Sequence, residues 1–203
     1  MNKLQPGDIA PDFAAIDVNG NTIRLNDYKG SRVLITFYRF VACPFCSIHF
    51  SLMSQNIKNY EKRGLKIISI FESDADYIRE YMTNREKQSP IVADPNALIY
   101  TQYAVEKSMK GVMKSMFRKL PVLIKFMFSS EYHFGKPDGS ISRIPADFII
   151  DEHGYILDAH YGEDASDNMP ISQVEKRLLD IKRPANQHNL PKIKERPPLD
   201  FVL

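Results

Sequence analysis

The chain has 203 residues, 43% hydrophobic and 26% charged, with a net charge of +2. Against the usual ~100 to 200 residues per domain this predicts one domain with an elaboration, and the near-average composition excludes a fibrous or largely disordered chain. No run of ~18 uncharged apolar residues occurs, so no spanning helix is expected, and the balanced charge gives no reason to expect nucleic acid as a partner.

At the amino end, Pro6, Gly7 and Asp8 stand where a secretory leader would need apolar residues, so a cytoplasmic location is expected. From Phe13 to Leu25, two short apolar-polar stretches flank Asn19-Gly20, a dipeptide suited to a hairpin turn. Arg32 to Tyr38 (RVLITFY) is a β-branched and aromatic run that reads as a strand buried on both faces. Phe45 to Arg63 carries apolar positions at helical spacing and stops at Gly64, a residue suited to a helix C-terminus. Leu65 to Phe71 predicts a second buried strand, Asp74 to Lys87 a helix, Ile91-Val92 a short strand, and Asp94-Pro95 the opening of a helix that runs to Tyr103. Ala146 to Asp151 and Tyr155 to Tyr161 form a later hairpin around His153-Gly154, and a closing helix spans about Ser172 to Ile181. This alternation predicts an α/β fold with parallel crossovers and helices on both faces of the sheet.

Residues 107–136 differ in composition. Seven Lys and Arg against the single acid Glu131 give the segment +6, so the remainder of the chain stands at −4. Met109, Met113, Met116 and Phe117 recur at helical spacing, which predicts an amphipathic helix interrupted by Pro121. Such a helix would pack as a flap on its own domain, cover a second copy of the chain or lie on an anionic membrane surface, the last being the least favoured. Pro184, Pro191, Pro197 and Pro198 make residues 182–203 an extended arm beside the domain of residues 1–181.

Both cysteines, Cys43 and Cys46, lie in one C-x-x-C between the predicted strand at 32–38 and the helix that follows. Two cysteines are too few for a disulfide framework. Free N–H groups at a helix start stabilise a thiolate, Arg39 adds a permanent positive charge, and the spacing lets one thiol resolve a bond formed on the other. An inert buried pair is the plain alternative. Zinc would need further ligands, and only His49 is near in sequence, so no metal or other cofactor is expected. Haem attachment would need histidine where Ser47 stands. His49, one helical turn beyond Cys46, is a candidate for proton transfer or an ordinary helix residue. Pro145 is a candidate cis-proline, and Asp147 reads as a solvent-facing or structural carboxylate.

GDIAPDF at Gly7 to Phe13, RVLITFY, the cysteine loop, VADPNALIYTQYAV at Val92 to Val105 and PADFIIDEHGYI at Pro145 to Ile156 together resemble, in order and spacing, the peroxiredoxin and alkyl hydroperoxide reductase superfamily. That resemblance implies a thioredoxin-like fold with an N-terminal β-hairpin extension, a central mixed sheet flanked by helices, and residues 107–136 as a basic helical insertion. It places Cys46 at the peroxide-attacking position, with Arg39 replacing the family's loop proline, Cys43 its threonine and Pro145 its late arginine. R-x-x-x-C-x-x-C, with the stretch from Tyr161 to Pro170, is similar to the peroxiredoxin-like group that includes selenoprotein U. The implied activity is thiol–disulfide oxidoreduction or slow peroxide reduction by Cys43, Cys46 and Arg39. Pro44, Phe45, Ile144 and Pro145 are the implied substrate contacts, with the Ile144 backbone pairing with an incoming chain. The implied partners are a peroxide or disulfide and a thioredoxin- or glutathione-like thiol reductant, with a homodimer left open.

Overall fold

In the strand β3 (Arg32–Phe37) successive side chains point to opposite faces, as a pleated backbone requires. Val33, Ile35 and Phe37 enter an apolar cluster with Phe148, Tyr100 and Tyr103. Leu34 enters another with Met53, Ile57, Tyr60 and Val174. A strand apolar on both faces therefore sits in the middle of a sheet with a layer on each side. The computed structural model describes residues 2–82, 89–121, 124 and 135–179, and the proline-rich arm at 182–203 lies outside them.

The elements in chain order are β1 (Ala14–Ile16), β2 (Thr22–Arg24), a 3-10 turn (Leu25–Tyr28), β3, α1 (Pro44–Lys62), β4 (Leu65–Phe71), α2 (Ala75–Tyr81), β5 (Ile91–Ala93), α3 (Leu98–Gln102), α4 (Met109–Arg118), β6 (Ala146–Ile150), β7 (Ile156–Tyr161) and α5 (Ile171–Leu179). The main sheet has the order β5-β4-β3-β6-β7, with β3, β4 and β5 parallel and β6 and β7 antiparallel to their neighbours. The sheet is mixed, as expected. α1 and α5 supply the side chains of one face, and α3 those of the other.

β1 and β2 form the N-terminal hairpin. Its turn is built by Asp17, whose carboxylate accepts from the backbone N–H groups of Asn19 and Asn21 at 2.9 and 2.8 Å, and by Gly20 at φ 89°. Val18 N donates to Ile91 O at 2.9 Å and tethers the hairpin to the β5 edge. α1 ends where expected, with Gly64 at φ 79° just beyond it.

α2 ends at Tyr81, with Met82 extended at φ −95° and ψ 138°, and residues 83–87 of the predicted helix lie outside the described residues. α3 begins at Leu98, not at Asp94. Ala97 turns into the left-handed region at φ 53°, and the Asp94 carboxylate reaches past it to accept from the N–H groups of Leu98, Ile99 and Tyr100 at 2.9, 2.8 and 3.3 Å. A buried carboxylate thus does the capping from outside the helix.

Removing that cap leaves three N–H groups without an acceptor in a mostly buried place. Asp94→Ala is expected to cost about 2 kcal/mol of stability, read as a lower urea midpoint at unchanged slope, whereas Asp94→Asn recovers part of the loss. Equal midpoints for the alanine variant and the wild type would show that the cap contributes nothing.

Candidate active site

The pairing of β3 with β4 continues past both strands and fixes the loop that carries the cysteines. Tyr38 N donates to Ile70 O and Glu72 N donates to Arg39 O, each at 2.9 Å. Val41 N then finds the Ser73 hydroxyl at 2.9 Å, and Cys43 N turns back to Phe40 O at 3.1 Å. The chain enters α1 with Cys43 as its N-cap and Pro44 in the first turn, where a proline's missing N–H costs nothing. Cys46 follows within that turn.

Both thiols are fully buried and unbridged. Arg39 lies over them, itself only 5% exposed. Its backbone N–H donates to Cys46 Sγ at 3.4 Å and its Nη1 donates to Cys43 Sγ at 3.5 Å, while Nη2 donates to the Ile141 carbonyl. Among the described residues no carboxylate pairs with this guanidinium. Burial pushes the Cys43 thiol up. The Cys46 thiol that hydrogen-bonds to it, the Arg39 charge and the backbone N–H dipoles of Cys46 and Phe45 outweigh burial and bring it down to about 6. Cys46 goes the other way: burial, its hydrogen bond to Cys43 and the Cys43 charge hold it well above the ordinary thiol value, against the opposing pull of Arg39. At neutral pH the pair is one thiolate and one thiol, and the thiolate is on Cys43.

A second polar group joins the end of β3 to α1. Tyr38 Oη and His49 Nδ1 are 3.0 Å apart, and His49 Nε2 is 3.3 Å from the Met169 carbonyl. A carbonyl only accepts, so Nε2 carries the proton and Nδ1 accepts from the tyrosine hydroxyl. Burial lowers the pKa of His49, which is therefore neutral at pH 7. Asp147, opposite Thr36 in the β3–β6 register, is fully buried and not solvent-facing. Its Oδ2 accepts from Met169 N at 2.7 Å. Burial raises its carboxyl against the pull of His49, the Met169 N–H, Thr36 and His160. The Tyr161–Pro170 stretch delivers Met169 to this group, with Asp164 accepting from Ser166 N and Asp167 from Glu163 N, both at 2.9 Å.

Of the remaining candidates, Pro44 is half-buried, and Phe45, Ile144 and Pro145 are buried. The Ile144–Pro145 peptide is trans, which corrects the cis expectation. The Pro145 carbonyl accepts from Gly162 N at 3.0 Å, and the Ile144 N–H donates to Glu106 O at 3.1 Å, so that N–H is already engaged within the chain.

Three features at the site are not apparent from the cysteine motif. Glu72, at the end of β4, holds Arg143 through 2.7 and 3.2 Å contacts, and Arg143 Nη1 also donates to Val105 O at 2.6 Å. Asp138 accepts from the Ser73 hydroxyl at 2.7 Å and from Asp74 N at 3.0 Å. Gly139 lies so close to the Glu72 carbonyl that a Cβ would meet it at 1.8 Å. Residues 135–144 therefore run along the cysteine loop as its outer wall. An isolated carboxylate and arginine 71 residues apart carry no sequence signal that joins them. Among the described residues no three His, Cys, Asp or Glu side chains gather as metal ligands.

The model of the AhpC/TSA family matches residues 6–159. Peroxiredoxin Bcp of Escherichia coli K12 is 26% identical over 155 residues, 75% of this chain and 92% of that protein. Peroxidoxin BcpB of Mycobacterium tuberculosis superposes with a TM-score of 0.61 at 17% identity, covering 87% of this chain and 95% of that one. A thiol:disulfide interchange protein DsbE of Chlorobium tepidum gives 0.59 at 21% identity, over 87% and 97%. The two structures share the thioredoxin fold with this chain.

The site makes a direct pH prediction. Iodoacetamide labelling of the reduced protein should rise through an inflection near 6, with Cys43 the labelled residue in the peptide map and Cys46 unlabelled. In Arg39→Met the inflection should move towards the free thiol value of about 8.5. An inflection unmoved by that substitution would show that Arg39 does not stabilise the thiolate.

Proposed function

We propose, since the chain belongs to the AhpC/TSA family, that this thiol oxidoreductase works through a Cys43–Cys46 dithiol and disulfide couple in which Cys43 attacks. The observation that carries this reading is the buried Arg39 guanidinium, whose nearest counter-charge among the described residues is the Cys43 sulfur. A buried cation without an answering anion is costly, so the site favours the thiolate that the chemistry needs.

With a disulfide substrate, the Cys43 thiolate attacks one sulfur, forms a mixed disulfide and expels the other sulfur as a thiolate. Cys46 then loses its proton and attacks Cys43 Sγ, which releases the second substrate thiol and leaves the Cys43–Cys46 disulfide. The substrate gains two electrons and two protons. With a peroxide, Cys43 attacks the distal oxygen, the remaining alkoxide or hydroxide leaves with a proton, and the sulfenic acid condenses with Cys46 to expel water. Two equivalents of an external thiol, of the thioredoxin or glutathione kind, restore the dithiol. The high proton affinity of Cys46 makes its deprotonation the step that needs help. Neutral His49, with Tyr38 bonded to it, is the group we assign to that transfer.

Cys46 as the peroxide-attacking sulfur is the competing assignment, favoured by its distance from the end of β3. Its raised pKa, beside the lowered one of the equally buried Cys43, speaks against it.

Turnover of hydrogen peroxide and of a small aromatic disulfide by Cys43→Ser and Cys46→Ser separates the two. Cys43→Ser is expected to lose both activities by about 100-fold or more. Cys46→Ser should give one turnover and a trapped mixed disulfide on Cys43. Peroxide consumption that survives in Cys43→Ser and vanishes in Cys46→Ser would reverse the assignment, and inertness of the wild type towards both substrates would overturn the catalytic reading.

A further inference from the structure

α4 is amphipathic, and it is mounted the wrong way round for a helix that covers its own protein. The buried positions are its smallest, Gly111 and Ser115. A Cβ on Gly111 would stand 2.7 Å from the Glu163 carbonyl oxygen and 2.9 Å from the Ile144 side chain, so only glycine permits this approach. Met109, Met113, Met116 and Phe117 lie on the opposite side of the helix at three- and four-residue spacing. All four are more than half exposed, as is Leu120 just past the helix end.

The orientation is locked. Lys114 Nζ pairs with Glu163 at 2.8 Å, and Arg118 Nη2 pairs with the buried Asp164 at 2.9 Å. Rolling the helix to bury its methionines would break both pairs and drive Gly111 off the Glu163 carbonyl.

We infer that the outward face of α4 is a docking surface for an anionic lipid membrane. Charge argues for that occupant. From Lys107 to Pro121 the sequence holds five Lys and Arg and no acid. Two of these cations, Lys110 and Lys119, flank the apolar stripe on either side, and among the described residues neither has an acidic partner. Basic side chains bordering an exposed stripe of Met, Leu and Phe are the arrangement in which the apolar face enters the acyl boundary while lysines reach phosphate at its edges. The stretch Val122 to Phe128 next in sequence is apolar apart from Lys125, which extends the same composition. The rest of the chain carries −4 and is repelled by the same surface, so the field of an anionic bilayer turns α4 towards it. A symmetric contact with a second copy would instead set Lys110 and Lys119 against the same basic helix, which disfavours that occupant.

The test is cosedimentation of the full-length chain with vesicles of phosphatidylcholine alone and of phosphatidylcholine with phosphatidylglycerol, at low and high salt. A Phe117→Trp variant adds a local reporter, since the chain has no tryptophan of its own. Binding is expected to the anionic vesicles only and to weaken with salt, with a blue shift of that variant's indole emission. The double variant Met113→Glu, Phe117→Glu should reduce binding by at least about tenfold while keeping the wild-type circular dichroism and iodoacetamide inflection. No binding to anionic vesicles overturns the inference. Equal binding to neutral vesicles, or binding untouched by the double variant, does so as well. Self-association that the double variant abolishes, without lipid binding, assigns the face to a second copy instead.

Discussion

Burying the Arg39 guanidinium against the sulfur of Cys43, with no carboxylate among the described residues to neutralise it, ties together the loop, the helix start and the outer wall of the site. The arginine cannot leave without exposing or stranding its charge, so its backbone holds Cys46 and its side chain holds both Cys43 and the Ile141 carbonyl. The two cysteines thereby stop being equivalent. Arg39 pulls on both thiols, but in Cys43 that pull, the Cys46 hydrogen bond and the N–H dipoles outweigh burial, whereas in Cys46 burial and the neighbouring Cys43 prevail. A few ångströms of placement give the two thiols of one motif opposite shifts in acidity.

The second buried arginine in this region shows the contrast. Arg143 is answered by Glu72 in a forked pair and by the Val105 carbonyl, and it stacks over the Tyr100 ring at 4.7 Å. Its charge is neutralised inside the protein. What it does is hold the last residues before β6 to the end of β4, immediately beside the Arg39 backbone that Glu72 also binds. The wall at 135–144 and the cysteine loop are consequently one construction, joined again by Ser73, which donates to Asp138 while accepting from Val41.

Much of this arrangement is legible in the amino-acid sequence, for identifiable reasons. RVLITFY is apolar on both faces and can only be a central strand, and a C-x-x-C placed just after it has to stand where the chain turns into α1. Gly64 and the Asn19-Gly20 turn are readable because both need φ values that glycine supplies. The start of α3 is not, because the cap is a carboxylate four residues upstream acting around a left-handed alanine. Asp147 reads as a solvent-facing or a structural carboxylate, and the sequence does not choose between the two. In β6 every position is buried, so it has to go inside, and it survives there on the Met169 N–H and its neighbours. The order of acidity of the two thiols depends on where one guanidinium points, which no spacing encodes. The outward turn of α4 is equally hidden, since periodicity reveals an apolar face and says nothing of the direction in which a glycine lets the helix dock.

The thiolate that Arg39 stabilises exists only while the pair is reduced. Closing the proposed Cys43–Cys46 bond would remove the negative charge and leave the buried guanidinium with the Ile141 carbonyl and the Phe40 ring, whose centroid is 5.3 Å away. In such a couple each increment of thiolate stabilisation would raise the reduction potential, because it lowers the reduced form and does nothing for the oxidised one. In the proposed couple a mild thiol would therefore suffice to open the disulfide, and the arginine that stabilises the thiolate would also favour return to the reduced pair.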